Sequence, residues 1–380
     1  MKKALMVATV IKFLDSFEKN DMRILKDLGY EIHTATNMNA ADWLRYNGAL
    51  DDLGVINHQI DFGRSPFSKQ SIKAYKELKK LLEETGFDLI HCHTPVASAI
   101  LRMAVNKRKM PGVKIIYTAH GFHFHKSSGW KSWLFYYPIE RMLARRTDMI
   151  ITINKEDHAV IQKFKTRYKR YIPGVGVDTE RISAMTADRQ SELTDRFHVP
   201  QDAFVIMTVG ELSARKNQIT VMEALGQLKD RKIYYVLAGE GDKKEELHEA
   251  AKRLDLEDRV IFTGFLDHDE ILRLDHVVDL GVIPSLIEGL GLAGVEFLAA
   301  GTPVVGSKVH GIKDYVLDGE TGILCDPRNA GEFADAIRKM MDDRSYYNAC
   351  KENSRKVAER FDVRKVEQLM KENYACVQNQ

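Results

Sequence analysis

No run of 18 or more apolar residues occurs in this 380-residue chain, so no segment reads as a membrane-spanning helix. Cysteine is scarce: Cys92, Cys325, Cys350 and Cys376 form no CxxC pair and are too few for a disulfide scaffold. That usage fits a reducing compartment. Low-complexity tracts and short-period repeats are absent, and 44% of the residues are hydrophobic, spread along the whole length, which excludes intrinsic disorder. The start, Met1-Lys2-Lys3 followed by apolar Ala4–Ile11, imitates a signal peptide. Lys12 ends that run, however, and no small-residue cleavage site follows, so a buried first strand and a cytoplasmic chain are expected.

Net charge is also nearly lacking, at +2, but the total conceals an asymmetry. Residues 1–172 carry 29 Lys/Arg against 17 Asp/Glu, a net of +12; residues 173–380 carry 27 against 37, a net of −10. Halves of opposite sign either attract each other or meet different partners. Short apolar runs alternate with helix-period segments in both. Ala4–Val10, Glu31–Ala35, Asp88–His91, Lys114–Thr118 and Met149–Ile153 read as strands in the first half, separated by helices such as Ser71–Glu84 and Val96–Asn106. Phe204–Val209, Ile233–Ala238, Val260–Thr263, Leu280–Pro284, Pro303–Gly306 and Ile323–Cys325 continue the pattern in the second. The alternation predicts an α/β protein of two facing doubly wound, Rossmann-like domains. The Pro/Gly loop Ile172–Asp178, where the charge reverses, separates an N-terminal domain, 1–172, from a second domain, 173–360. From Ala330 the tail reads as two or three charged amphipathic helices, the last, about 361–380, being a candidate to pack back on the first domain.

The densest chemical signal is Ser285-Leu-Ile-Glu288-Gly289-Leu290-Gly291-Leu292-Ala-Gly294-Val-Glu296, running from a strand's carboxyl end into a helix. Its glycines let backbone amides approach a ligand, and a helix N-terminus offers unpaired N–H donors and a positive dipole end to a phosphate. Glu288 and Glu296 are acceptors for hydroxyl donors such as those of sugars and ribose. A second strand-to-helix turn, Val209-Gly-Glu211-Leu-Ser-Ala-Arg215-Lys216-Asn217, places two cations at a helix start, where they oppose the helix dipole unless an anion joins them. Together the motifs predict a diphosphate clamp.

These residues resemble those of the GT-B glycosyltransferases of family 4, over the whole chain. The resemblance rests on Glu288 and Glu296 with seven residues between, Ala299-Ala-Gly-Thr-Pro-Val-Val, Asp318-Gly-Glu-Thr-Gly-Ile-Leu, Leu237-Ala-Gly-Glu-Gly241 and Ile172-Pro-Gly-Val-Gly-Val-Asp178. It implies a retaining enzyme that uses a nucleotide-diphosphate sugar, commonly a UDP-sugar, without a metal or other cofactor. It places Glu296 at the nucleotide ribose, Glu288 near the donor sugar, and Lys216 on the diphosphate. Gly289, Leu290, Gly291 and Leu292 then offer backbone amides, and His120, in Tyr117-Thr-Ala-His-Gly, stands at the donor sugar. Two departures matter. Glu211 occupies a position where the family usually has arginine, leaving Arg215 to supply the second cation, and Val10–Asp15 lacks the paired glycines common after the first strand. The resemblance, the basic first half and its aromatics together imply a glycan acceptor on a polyprenyl-type lipid, in bacterial-type exopolysaccharide, capsule or related surface glycan synthesis, met at the inner membrane face.

Other patterns compete with this reading. Asp267-His268-Asp269 matches a D-x-D metal motif but starts a helix, where aspartate caps free N–H groups. His91, His93, His120, His123 and His125 cluster in sequence, yet strand ends in a sugar cleft explain them without zinc. Asp61-Phe-Gly63 is the kinase tripeptide without kinase context. Trp130–Tyr137, continuing through Arg141, Arg145 and Arg146, is either a core aromatic face or a patch for an anionic membrane, and Lys107–Lys109 and Lys163–Arg170 add positive charge. No nucleic-acid motif is present. Two alternatives stay open: an enzyme like the UDP-N-acetylglucosamine 2-epimerases, and a catalytically silent membrane partner.

Overall fold

The apolar run after Lys3 becomes an interior strand of a seven-stranded parallel sheet. Its strands are β1 (Lys2–Val10), β2 (Tyr30–Asn37), β3 (Ile56–Gln59), β4 (Leu89–Cys92), β5 (Lys114–Ala119), β6 (Met149–Thr152) and β7 (Tyr168–Tyr171), in the order β3-β2-β1-β4-β5-β6-β7. Ala4 to Ala8 are fully buried, as expected of a parallel strand covered on both faces by helices. The second sheet holds β8 (Phe204–Val209), β9 (Ile233–Ala238), β10 (Val260–Gly264), β11 (Leu280–Ile283), β12 (Val304–Ser307) and β13 (Gly322–Cys325), in the order β10-β9-β8-β11-β12-β13. In the computed structural model, residues 1–39, 48, 50–63, 68–125, 128–229 and 231–378 are described. Each sheet reverses direction of growth once, between β1 and β4 and between β8 and β11. Such switch points are where open α/β sheets bind ligands, beyond the carboxyl ends of the strands.

Two compact units result, Met1–Val175 with Arg364–Gln380, and Gly176–Val363. Their charges separate slightly further than the sequence halves. The first carries 32 Lys/Arg and 19 Asp/Glu, a net of +13; the second carries 24 and 35, a net of −11. The tail forms three helices, Ala330–Asp342, Arg344–Ala358 and Val363–Gln378. Where the chain leaves the second unit it runs beside its own entry: Val177 N–H donates to the Phe361 carbonyl and Val363 N–H to the Val177 carbonyl, both at 2.9 Å. Gly176 permits this approach, since a Cβ there would lie 2.6 Å from the Val363 Cα.

Local sequence explains the helices that carry the first sheet. In Lys69–Thr85, Ser68 caps the N-terminus by accepting from the Ser71 N–H, and Ala74, Leu78 and Leu82 fall on one buried stripe four residues apart. The helix Trp130–Leu143 resolves the two readings of its aromatics by dividing them. Trp133 and Tyr137 pack against the core with Phe124, whereas Trp130, Leu134, Phe135, Tyr136 and Met142 are exposed. This helix is tied to the Pro95–Ala104 helix by a buried ion pair in which the Arg102 Nη2 donates to both Glu140 oxygens at 2.9 and 3.0 Å. Among the described residues, no helix is long and apolar enough to cross a membrane.

Strands β3 and β7 escape a reading based on apolar runs. Both are edge strands, Ile-Asn-His-Gln and Tyr-Lys-Arg-Tyr, none of whose residues is fully buried. Edges face solvent on one side and tolerate polar and charged residues. The positive stretch Lys163–Arg170 therefore partly serves as a strand edge, with Arg167 and Arg170 lying over the Tyr168 ring.

Candidate active site

The loops after β8 and β11 flank the switch point of the second sheet, and there Lys216 meets Glu288. The Lys216 Nζ donates to the Glu288 Oε2 at 2.5 Å, the Ser285 hydroxyl donates to the same oxygen at 3.2 Å, and the Arg215 Nη1 lies 3.5 Å from it. Burial pushes the Glu288 carboxyl up, but the charges of Lys216 and Arg215 more than offset this and hold it below its ordinary value. The loops are stitched together by Asn217, a buried residue in the left-handed region at φ 59°, whose amide donates to the carbonyls of Pro284 (3.0 Å) and Pro327 (2.8 Å). Leu286 N–H donates to the Arg215 carbonyl at 2.9 Å. Arg215, nearly half exposed, also lies 4.0 Å from Glu211, so the glutamate that replaces the family's arginine shares the charge of the cation proposed to replace it.

The turn Gly289–Gly291 enters the helix Leu292–Ala300. It is tightly built: Gly291 holds φ 85°, and a Cβ on Gly311 would lie 2.2 Å from the Gly289 carbonyl oxygen. Leu290 is buried and anchors the turn. Tyr315 is a residue that the sequence does not single out. Its hydroxyl is buried without a hydrogen-bond partner among the described residues, and a Cβ on Gly294 in the first helical turn would lie 2.2 Å from it.

Glu296, one turn into that helix, accepts from His268 at 2.8 Å. Asp267 caps the His268–Val277 helix in a capping box with Glu270, and Asp269 pairs with Arg181, so the D-x-D carboxylates have structural partners. His268 is the unexpected member. Its hydrogen bond to Glu296 holds the imidazole above its ordinary value. The raised value belongs to the folded state, so the pair's contribution to stability is full below about pH 6.5 and is lost as pH rises through the folded value. NMR titration of the imidazole should place His268 above the ordinary histidine value, and Glu296→Gln should lower it; an unchanged midpoint would refute the coupling.

In the first unit, His120 follows β5 and His93 follows β4, and both meet Glu18, which lies between the helices Ile11–Phe17 and Lys19–Asp27 after β1. The His93 Nδ1 and His120 Nε2 are 3.2 Å apart, and Glu18 Oε1 lies 3.3 and 3.1 Å from them. Behind them His91 bridges Tyr374 and Thr118, each at 2.8 Å, and the Tyr374 hydroxyl donates to Asp21 at 2.8 Å. Burial pushes His91 down to about 3 and His120 to about 4, and drives Glu18 and Asp21 well above the usual carboxylate range. His123 and His125 take another course, packing with the Trp130–Leu143 helix through Tyr136 and Trp133. The sequence brought forward the histidines but not Glu18, a lone glutamate in a polar stretch that carries no sign of its burial.

The family model described as "Glycosyltransferase Family 4" matches residues 22–181, and that described as "Glycosyl transferases group 1" matches residues 190–357. EpsD of Bacillus subtilis is 33% identical over 376 residues, spanning 97% of this chain and 95% of its own. An Escherichia coli UDP-Gal:alpha-D-GlcNAc-diphosphoundecaprenol alpha-1,3-galactosyltransferase is 25% identical over 313 residues, 80% of this chain and 79% of its own. Among solved structures, Anabaena HepE in complex with UDP and glucose superposes with a TM-score of 0.77 at 22% identity, covering 99% of this chain and 100% of HepE. With a relative matched at 33% identity over nearly its whole length and family models matching both units, the chain belongs to the family 4 glycosyltransferases of the GT-B fold.

Proposed function

We propose that this glycosyltransferase is a retaining enzyme that moves a hexosyl or N-acetylhexosaminyl group from a UDP-sugar to a polyprenyl-linked glycan in bacterial-type exopolysaccharide, capsule or related surface glycan synthesis. The observation that carries the reading is the Lys216–Glu288 couple at the switch point, beside the glycine turn of a helix N-terminus. A diphosphate placed there meets Lys216, Arg215 and the amides of Gly289 to Leu292, which neutralise charge as it develops on the leaving group. Glu288 and Glu296 accept from sugar and ribose hydroxyls, His120 serves the donor sugar, and no resident metal is needed. Retention then follows from same-face attack guided by the leaving diphosphate. The E. coli relative acts, by its name, on a UDP-sugar and a diphosphoundecaprenol acceptor, and HepE was crystallised with UDP and glucose; both favour this choice of substrates.

A peripheral position on the inner membrane face is supported by the Trp130–Leu143 helix. Trp130, Lys131, Leu134, Phe135, Pro138, Arg141, Met142 and the following Arg145 lie on one exposed face. Among the described residues, Lys131, Arg141 and Arg145 pair with no carboxylate, unlike Lys107 and Lys109, which engage Asp148 and Glu83. Apolar side chains flanked by free cations suit an anionic lipid surface.

Two assays test the reading. Incubating a nucleotide-sugar panel with a polyprenyl-diphosphate-sugar acceptor should give a product whose new linkage keeps the donor's anomeric configuration. Free UDP with a new hexosamine and no acceptor would instead indicate an epimerase, and no donor binding by calorimetry a silent partner. The protein should co-sediment with phosphatidylglycerol vesicles at low salt, less so as the Debye length shrinks to about 3 Å at 1 M salt, and Lys131→Glu with Arg141→Glu should abolish it. Failure to bind at low salt would point to a soluble acceptor.

A further inference from the structure

His93 and His120, beyond the carboxyl ends of β4 and β5, are joined by a hydrogen bond of 3.2 Å between the His93 Nδ1 and the His120 Nε2. Burial holds both rings neutral, pushing His120 down to about 4 and His93 well below its ordinary value. A neutral imidazole carries one N–H, so one of the two facing nitrogens donates and the other accepts. We propose that His93 is a positioning residue: it donates from Nδ1 and so fixes His120 with its own proton on Nδ1, ready to donate to an acceptor oxygen of the donor sugar. The inference rests on the reading of His120 as the residue at that sugar. The deciding atom is the second nitrogen of His93. Its Nε2 is buried and has no hydrogen-bond partner among the described residues. A proton there would be an orphaned buried donor, which folded proteins avoid more strictly than an orphaned acceptor. The His93 proton therefore sits on Nδ1, the His120 Nε2 accepts it, and the His120 proton is left to Nδ1. That nitrogen has no partner among the described residues and belongs to a partly exposed side chain, so a ligand can meet it.

Backbone and charge support the same proton placement. The His93 N–H donates to the Val7 carbonyl at 2.7 Å, and its carbonyl accepts from the Ser98 hydroxyl at 2.8 Å. Next to it Thr94 holds φ 59°, a strained conformation for a β-branched residue, fixed by its hydroxyl accepting from the Thr9 N–H at 3.1 Å. Phe13 packs edge-on against the His120 ring, 4.9 Å between centres. Glu18 Oε1 lies 3.1 Å from the His120 Nε2 and 3.3 Å from the His93 Nδ1. An ionised Glu18 would draw the His120 proton inward to Nε2 and reverse the tautomer. Burial drives Glu18 towards its neutral acid form, which exerts no such pull. The groups around it do not restore the charge. Asp21 is also driven up, His91 is held neutral at about 3, and the Tyr374 hydroxyl donates to Asp21. Glu367, on the last helix, lines the same crevice as Glu18 and Asp21. Among the described residues, neither buried carboxyl pairs with a lysine or arginine.

Long-range proton–nitrogen NMR spectra of the full-length, histidine-labelled protein read the tautomers directly. At neutral pH His93 and His120 should both carry their proton on Nδ1, the signals being assigned by their loss in His93→Asn and His120→Ala. Raising the pH through the Glu18 titration should move the His120 proton to Nε2, and Glu18→Gln, which cannot ionise, should keep it on Nδ1. In the transfer assay His93→Leu should lower kcat by about tenfold. His93→Asn, whose amide can donate from nearly the position of Nδ1, should recover most of that loss. Circular dichroism checks the fold of each variant, and the wild-type spectrum decides the tautomer should His93→Leu fail to fold. A His120 proton on Nε2 at neutral pH, or equal rates in folded His93→Leu and His93→Asn, would overturn the inference. Protons on Nδ1 together with a normal rate in His120→Ala would instead remove His120 from the donor sugar and leave the tautomer standing.

Discussion

Glu288→Gln is expected to slow sugar transfer by about 100- to 1,000-fold while tightening UDP binding by on the order of tenfold. The opposite signs follow from one contact. Glu288 engages the Lys216 ammonium at 2.5 Å, with Arg215 3.5 Å away. A diphosphate entering this site must share those cations with a carboxylate held ionised by them. Glutamine removes the competing charge and leaves only a neutral amide oxygen, a weaker acceptor for the sugar hydroxyl proposed to bind there. Lys216→Ala should lower both quantities, weakening UDP and slowing turnover by about 100-fold or more. Folding should survive, because Ser285 and Arg215 still face Glu288; the partial loss of its partner costs about 1–3 kcal/mol. Calorimetry with UDP and initial rates with the donor separate the effects. Near-normal rates in both variants would show that the couple is not the donor site, and weaker UDP binding by Glu288→Gln would show that the carboxylate does not compete with phosphate.

The largest effect on stability should come from Glu140→Ala. Glu140 receives both hydrogen bonds from a fully buried Arg102, whose guanidinium also lies 4.0 Å from the Tyr117 ring centre and donates from Nε to the Ser98 carbonyl. Removing the carboxylate leaves a buried cation without a counter-charge, at a cost of about 3–5 kcal/mol. Replacing both partners with apolar residues, as Arg102→Met with Glu140→Leu, should recover most of this loss, because two desolvated charges disappear together. All three tryptophans, Trp43, Trp130 and Trp133, belong to the first unit, so their fluorescence during denaturant unfolding reports that unit alone. If Glu140→Ala shifted the transition by less than about 1 kcal/mol, the pair would not hold the Trp130–Leu143 helix to the core.

Much of the candidate site was legible because its residues are close together in the chain. Glu288, Gly289, Gly291 and Glu296 lie within nine residues, and the glycines mark a turn that other residues enter only with strain. Lys216 was visible as a cation misplaced against a helix dipole. That it already grips Glu288, 72 residues away, was not visible, because the sheet brings the two loops together. His268 was read only as part of a cap, since its bond to Glu296 spans 28 residues on a different helix.

The sequence by itself determined what depends on neighbours along the chain: the strand–helix alternation, the two oppositely charged halves, the Asp267 cap and the glycine turn before Leu292. Each follows from hydrophobic period, backbone freedom or capping chemistry over a few residues. Only the tertiary structure decided which polar side chains are buried and whom they meet. Glu18 joins His93 and His120 because β1, β4 and β5 are adjacent in the sheet, although 75 residues separate Glu18 from His93. The aromatic helix kept Trp133 and Tyr137 inside and left Trp130 and Phe135 in solvent because the Arg102–Glu140 pair fixes one of its faces against the core. Edge strands β3 and β7 likewise exist by pairing with a neighbour, β2 and β6, since their own residues carry no apolar run to declare them.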